Sequence, residues 1–188
     1  MLRPALTQSD GDVVCSLDMG TTHVKAAFFD DRGRAVALSH ASVPSPRPGS
    51  PPHEFDADEH VRIALSLVRH FVRAQASAAH RVKAIAVTGQ RASMVPLYHG
   101  RTAPALGWPD ARGDGLLPIF LRRIGPLAFR QITGLQPSAL WSLSKILRLQ
   151  QAPLNRRPAR YALLNDFVLS RLGAPGIITD FSSASLTG

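Results

Sequence analysis

Cysteine is nearly missing from this 188-residue chain. One thiol, Cys15, cannot form an intramolecular disulfide, which excludes a disulfide-stapled fold and suits a reducing compartment. Lysine is scarce as well: of 22 basic side chains only Lys25, Lys83 and Lys145 are lysine. Aromatic residues make up 6% of the chain, too few to interleave with cations as a nucleic-acid surface requires. No apolar run approaches the roughly 18 residues of a membrane span. The start, Met1-Leu2-Arg3-Pro4, leads into polar residues without a signal-peptide core. A soluble, cytoplasmic chain is expected, with no membrane partner.

What is present points to a folded α/β chain. Apolar residues are 45% and charged residues 19%, so the chain is neither disordered nor fibrous. The 22 basic and 13 acidic side chains leave a net charge of +9, but the general bias towards Arg, Ala and Pro reads as composition rather than a built basic surface. Residues 13–18, 23–30 and 35–43 are short apolar runs separated by hairpin-length turns, which predicts an antiparallel meander. The proline-rich 44–52 stretch is a loop. Asp56 with Glu59 opens a helix by a capping-box pattern. Val61, Ala64, Leu65, Val68, Phe71 and Val72 form its apolar face, with Arg62, Ser66, Arg69 and Arg73 opposite. Val82–Val87 reads as a buried-type strand and Met94–Tyr98 as a short one. Helices are expected over 116–124, 142–151 and 165–172. The sum is a mixed sheet flanked by helices.

The sharpest chemical signal is Leu17-Asp18-Met19-Gly20-Thr21-Thr22. A carboxylate at a strand end, then a glycine and two hydroxyls in a tight turn, can cradle nucleotide phosphates. Asp18 can hold Mg²⁺ directly or through water, and Lys25 adds a cation. The same residues also suit an ordinary hairpin whose Asp and Thr satisfy the turn. Lys145 reads equally as a solvated or structural lysine, Arg112 as a partner of Asp110, and Trp141 and Cys15 as core. Asp166 and Asp180 read as capping or turn residues.

Five collinear motifs change the balance. LDMGTT with Lys25, Val87-Thr88-Gly89-Gln90-Arg91, Trp108-Pro109-Asp110-Ala111-Arg112, Ser142 to Leu147, and Leu164 to Val168 with Thr179 to Ser185 follow in order. Together the chain resembles the N-terminal half of the FGGY-family carbohydrate kinases. The resemblance implies an actin-like ATPase, ribonuclease-H-like α/β fold over 13–188, after a flexible 1–12 start. It implies ATP and Mg²⁺ as cofactors and a sugar or polyol as substrate. Asp18, Gly20, Thr21, Thr22 and Lys25 would then face the phosphates, with Asp18 on the metal. Gln90, Arg91 and Trp108 would line the sugar site, with Asp110 and Arg112 shaping its loop.

Two positions depart from the family. Ala92 stands where glycerol kinases carry glutamate and xylulokinases histidine, and Leu140 where glycerol kinases carry tyrosine; Ala92 argues against both substrates and Leu140 against glycerol. The family's catalytic aspartate, in a Gly-Asp-Gln segment, and its adenosine-binding domain would lie beyond Gly188. This chain alone is therefore expected to be inactive. A separately encoded C-terminal domain or a second copy of the chain is a candidate partner. The alternatives are a non-catalytic sugar-binding fragment or gene remnant, and a nucleic-acid binder. Binding of a labelled oligonucleotide, followed by fluorescence anisotropy, is expected to be weak and to fall steeply between about 50 and 200 mM salt. Sequence-specific binding that survives about 150 mM salt would show that the arginines form a nucleic-acid site.

Overall fold

The computed structural model describes residues 11–44, 49, 51, 53–75, 80–99 and 101–187. Residues 1–10 of the expected flexible start, and much of the proline-rich 44–52 loop, lie outside the described residues. Contacts divide the chain into two compact units, one formed by Met1–Ser45 with Asp58–Gln90, the other by Pro46–Ala57 with Arg91–Gly188.

The chain opens with β1 (Val13–Met19), β2 (His23–Asp30) and β3 (Ala35–Ser42). Then come β4 (Glu54–Phe55), α1 (Ala57–Ala74) and β5 (Val82–Gly89). Strands β1, β2, β3 and β5 make the first unit's sheet in the order β3-β2-β1-β5. β2 runs antiparallel to both β1 and β3, whereas β5 runs parallel to β1. A parallel neighbour demands a crossover, and α1 supplies it. The period-2 alternation of β1 and β2 buries Val13, Cys15, Leu17 and Met19 with Val24, Ala26 and Phe28 on one face. Burial in this apolar face pushes the Cys15 thiol up to about 12, so it is inert packing. Asp30 closes the β2–β3 turn, accepting from the backbone N–H groups of Arg32 and Arg34 and from Arg34 Nε.

Helix α1 covers that face. Its buried stripe is His60, Ile63, Ala64, Leu67 and Phe71, with Val61 at the margin. Phe71 stacks on Phe28, ring centroids 3.6 Å apart and planes within 9°. The expected face is therefore turned by a fraction of a turn: Leu65 and Val68 are half-buried, and Val72 is 39% exposed. The 0, 3, 4, 7, 11 spacing from His60 follows one helical stripe more closely than the set read from apolar letters alone, which skipped the buried histidine. Arg62, Ser66, Arg69 and Arg73 are exposed, as expected.

β5 departs from the buried-type reading. Lys83, Ala84, Ile85 and Ala86 are all exposed. Among the described residues β5 pairs with β1 alone, so its side chains have neighbours on one flank only. An apolar run measures what a strand can bury, not how many strands lie beside it.

The second unit continues with β6 (Met94–Tyr98), β7 (Arg101–Thr102) and β8 (Ala105–Leu106). There follow α2 (Leu117–Ile124), α3 (Pro126–Thr133) and α4 (Ser142–Leu149). β9 (Arg160–Leu163), α5 (Leu164–Arg171) and the single turn α6 (Phe181–Ala184) complete it. β4, β8, β6 and β7 lie in that order in an antiparallel sheet, and β9 pairs with β6. Leu117, Phe129 and Leu143 form the helical core, with Phe120, Leu121, Ala139 and Leu147 packed against it. Two-residue strands and a helix starting on Pro126 carry too little periodicity to be read from sequence. Among the described residues no helix is long and apolar enough to cross a membrane.

Because Phe71 is buried and stacks on Phe28 of β2, Phe71→Ala is expected to cost about 3–5 kcal/mol. The measurement is the urea midpoint, with the slope of the transition unchanged.

Candidate functional site

The alternation that buries Leu17 and Met19 turns Asp18 to the opposite face of β1. There the antiparallel register places it beside Lys25, and Lys25 Nζ donates to Asp18 Oδ2 at 3.1 Å. Both side chains keep solvent contact, 39% exposed for Asp18 and 56% for Lys25. Gly20 sits at the tip. A Cβ there would lie 2.6 Å from the His23 carbonyl oxygen, so the turn closes only around glycine. The Thr22 hydroxyl lies 3.1 Å from His23 Nδ1.

The parallel register pairs Met19 with Gly89, which brings the ends of β1 and β5 level. Thr21 Oγ1 donates to Gln90 Oε1 at 3.2 Å across 69 residues of sequence, and the Gln90 N–H reaches the Met19 carbonyl at 3.4 Å. The first and second motifs thus meet at one end of the first unit's sheet.

The remaining candidates lie in the second unit. Arg91 Nη2 donates to the Ser182 carbonyl at 2.8 Å and to its hydroxyl at 3.3 Å. The next residue, Ala92, is buried with φ at 59°, a left-handed conformation that is costly for a residue with a Cβ. Strain of this kind concentrates where the chain must aim side chains. The Trp108 backbone N–H donates to Ser93 Oγ at 3.0 Å, while the residue keeps 43% of its surface exposed. Asp110 is almost fully buried. It accepts from Arg112 Nε at 3.0 and 3.1 Å, from Arg112 Nη2, and from the Arg112 backbone N–H at 3.0 Å. Arg112 also reaches Glu54 at 2.7 Å. Burial pulls the Asp110 carboxyl upward, but the bonds to Arg112 and the charges of Arg112 and Lys145 outweigh it and hold it below its ordinary value. Arg112 is raised in turn, chiefly by its bond to Asp110.

The model of the N-terminal domain of the FGGY family of carbohydrate kinases matches residues 13–188. The chain belongs to that family. Glycerol kinases from Acidovorax ebreus and Polaromonas naphthalenivorans are 30% and 31% identical to it over 185 and 186 residues. Those alignments cover 92% of this chain but 36% and 37% of the relatives, so this FGGY chain spans little more than a third of their length. Among solved structures, the xylulose kinase from Rhodospirillum rubrum superposes with a TM-score of 0.82 at 20% identity, covering 94% of this chain and 37% of that one. The Plasmodium falciparum glycerol kinase with ADP gives 0.81 at 22%, covering 96% and 38%. At such identities the likeness speaks for the fold, which is the actin-like ATPase, ribonuclease-H-like fold of FGGY kinases.

Four residues of this FGGY chain were not singled out as site residues by sequence: Glu54, Ser93, Lys145 and Ser182. Glu54 and Ser182 lie 58 and 91 positions from their arginine partners, beyond any local spacing rule. Trp141, read as core, is half-buried, and its indole N–H donates to the Gln136 carbonyl. Asp180 caps α6 through the Ser183 N–H. Asp166 is buried inside α5, and that burial raises its carboxyl against a bond from Thr179.

Asp110→Asn is expected to destabilise by about 3 kcal/mol near neutral pH, because it leaves Arg112 short of a buried partner. The Asp110 pKa is lowered by folding, so its contribution is present above the unfolded value of about 3.9 and is lost as pH falls through the folded value. Urea midpoints of the two proteins should therefore converge in acid.

Proposed function

We propose that this chain is the N-terminal part of an ATP-dependent carbohydrate kinase, moving the γ-phosphoryl of ATP to a hydroxyl of a sugar or polyol. The observation that carries the reading is the Thr21–Gln90 bond, which joins the phosphate-type turn to the sugar-type strand end. Phosphoryl transfer asks a protein for positioning and charge neutralisation more than for covalent chemistry. Donor and acceptor must therefore meet, and these are the elements that would bring them together.

In this reading the backbone of Gly20, Thr21 and Thr22 holds phosphate oxygens, with the Thr22 hydroxyl donating while Thr21 stays bonded to Gln90. The residues fit the cofactor: Gly20 lets the turn close tightly on the His23 carbonyl, and Asp18, two residues before it, is an accessible carboxylate. Asp18 would hold Mg²⁺, which when bound neutralises phosphate charge. Lys25 pairs with Asp18, so it would keep that carboxylate aimed and add a cation beside the phosphates. Gln90, Arg91 and Trp108 bind the acceptor with planar hydrogen-bonding groups and an aromatic face, and Asp110 with Arg112 fixes the loop that carries Trp108.

The chain spans 36% and 37% of the glycerol kinases it matches, and losing oriented groups can forgo about 7–11 kcal/mol of barrier lowering. A coupled ADP-release assay of the purified chain across pentoses, hexoses and polyols is expected to show no sugar-dependent turnover. Chemical-shift titration with the same panel is expected to show saturable binding at Gln90, Arg91 and Trp108. Absence of any sugar binding would defeat the reading. Turnover by this chain, abolished by Asp18→Ala, would show that it carries a base of its own.

A further inference from the structure

Lys145 is one of the largest fully buried side chains of the molecule, 1% exposed, though a lysine on a short amphipathic helix ordinarily reaches solvent. It is not buried against a single carboxylate. Its Nζ donates to two backbone carbonyls, Leu140 at 2.9 Å and Trp108 at 3.2 Å. The Trp108 carbonyl is thus taken by Lys145, while the N–H of the same residue is taken by Ser93, itself fully buried. Both polar groups of one peptide-bonded residue are held by buried side chains from separate elements, α4 and the segment before β6.

The neighbouring chain is docked just as closely. A Cβ on Gly113 would fall 2.0 Å from the Ser144 carbonyl oxygen, so residue 113 lies against the first turn of α4 and tolerates no side chain. Ser144 Oγ in turn donates to the carbonyls of Ala139 and Trp141, which fixes that turn. Asp110, between the two contact points, is locked by Arg112. Of the whole 108–113 segment, the group left facing solvent with an apolar plane is the Trp108 indole.

We propose that Lys145 and Ser93 are positioning residues that clamp the backbone of Trp108 from both sides and hold its exposed indole as a rigid face for the carbon–hydrogen side of a sugar ring. The sugar half rests on the kinase reading; the clamp does not. A carbonyl–ammonium clamp suits this task because it fixes the backbone and leaves the side chain's whole surface for the ligand, and a preordered aromatic loses little freedom on binding. The buried ammonium also carries a cost. Burial pushes its pKa down to about 8, against the opposing pull of Asp110 and Asp114. The unfolded chain then binds the proton more tightly than the folded one between pH 8 and the ordinary lysine value, and stability contributed through Lys145 rises with pH across that window.

The test uses the full chain carrying Trp141→Phe, so that Trp108 is the sole tryptophan and can be excited selectively over tyrosine, with Lys145→Met and Ser93→Ala compared against it. Each variant removes one anchor with little change of volume. Acrylamide quenching of Trp108 is expected to rise about twofold and its anisotropy to fall in both variants, with the far-ultraviolet helix signal retained. Affinity for any sugar the chain binds should weaken about tenfold, since a loosened support degrades a site without abolishing it. The urea midpoint of the Lys145 protein should rise relative to Lys145→Met between pH 8 and 10, which a merely space-filling side chain would not produce. If Lys145→Met unfolds, Ser93→Ala decides through the same quenching measurement. Unchanged Trp108 order in a folded variant overturns the clamp, whatever the sugars do. Loss of Trp108 order in a protein that binds no sugar upholds the clamp and defeats the kinase reading.

Discussion

The parallel pairing of β1 with β5 is the constraint on which the first unit's share of the candidate site depends. Antiparallel neighbours such as β1 and β2 put the end of one strand beside the start of the next. A parallel neighbour puts two strand ends side by side, and here those ends are Met19 and Gly89. Everything that follows β1 and everything that follows β5 therefore departs from the same edge. The turn of Gly20–Thr22 and the Gln90 side chain meet there because α1 returns the chain to the start of the sheet before β5 begins, and α1 stays on the sheet through the Phe28–Phe71 stack. A destabilised helix face would thus be felt in the register of two loops that it never touches.

The second unit solves a different problem with different means. Its strands are short, and two of its candidate side chains, Asp110 and Arg112, are consumed by holding each other and Glu54. That network is a support. An arginine forked onto one carboxylate and bonded to a second has little left for a ligand, and a buried aspartate has none. The reading that Asp110 and Arg112 shape a loop while Trp108 and Arg91 present chemistry follows from this division. Arg91 itself is oriented by Ser182 in the run between Thr179 and Ser185, a motif whose role was opaque from its letters. The left-handed Ala92 between Arg91 and Ser93 is where the chain turns sharply enough to send one side chain towards Ser182 and the next hydroxyl towards Trp108.

Charge is used sparingly in the two units. Lys25 and Asp18 form an accessible pair that a ligand can rearrange, since exposed pairs are worth little on their own. Lys145 and Asp110 are buried, with Arg112 and Glu54 half-buried around Asp110, and they are costly to disturb. The same residue types therefore serve opposite ends, and burial separates the movable ones from the fixed ones.

Much was legible before any coordinates. The three-strand meander, the helix after it, the strand ending at Thr88-Gly89 and the glycine at the turn are local consequences of alternation, helical periodicity and turn chemistry, which a chain displays in its own order. Five short motifs in sequence were enough for the family, because collinearity multiplies signals that are individually weak. Tertiary structure alone decided which strands lie side by side and what is buried. It turned the face of α1 onto His60, left β5 exposed along one flank, and gave the expected strand Met94–Tyr98 partners too short to show a period. It also took Lys145 from a helix surface into the interior and gave Arg112 and Arg91 partners 58 and 91 residues away. Periodicity reports the preference of a segment for a solvent-shielded side, but the neighbour that does the shielding comes from elsewhere in the chain, and its identity is a property of the fold.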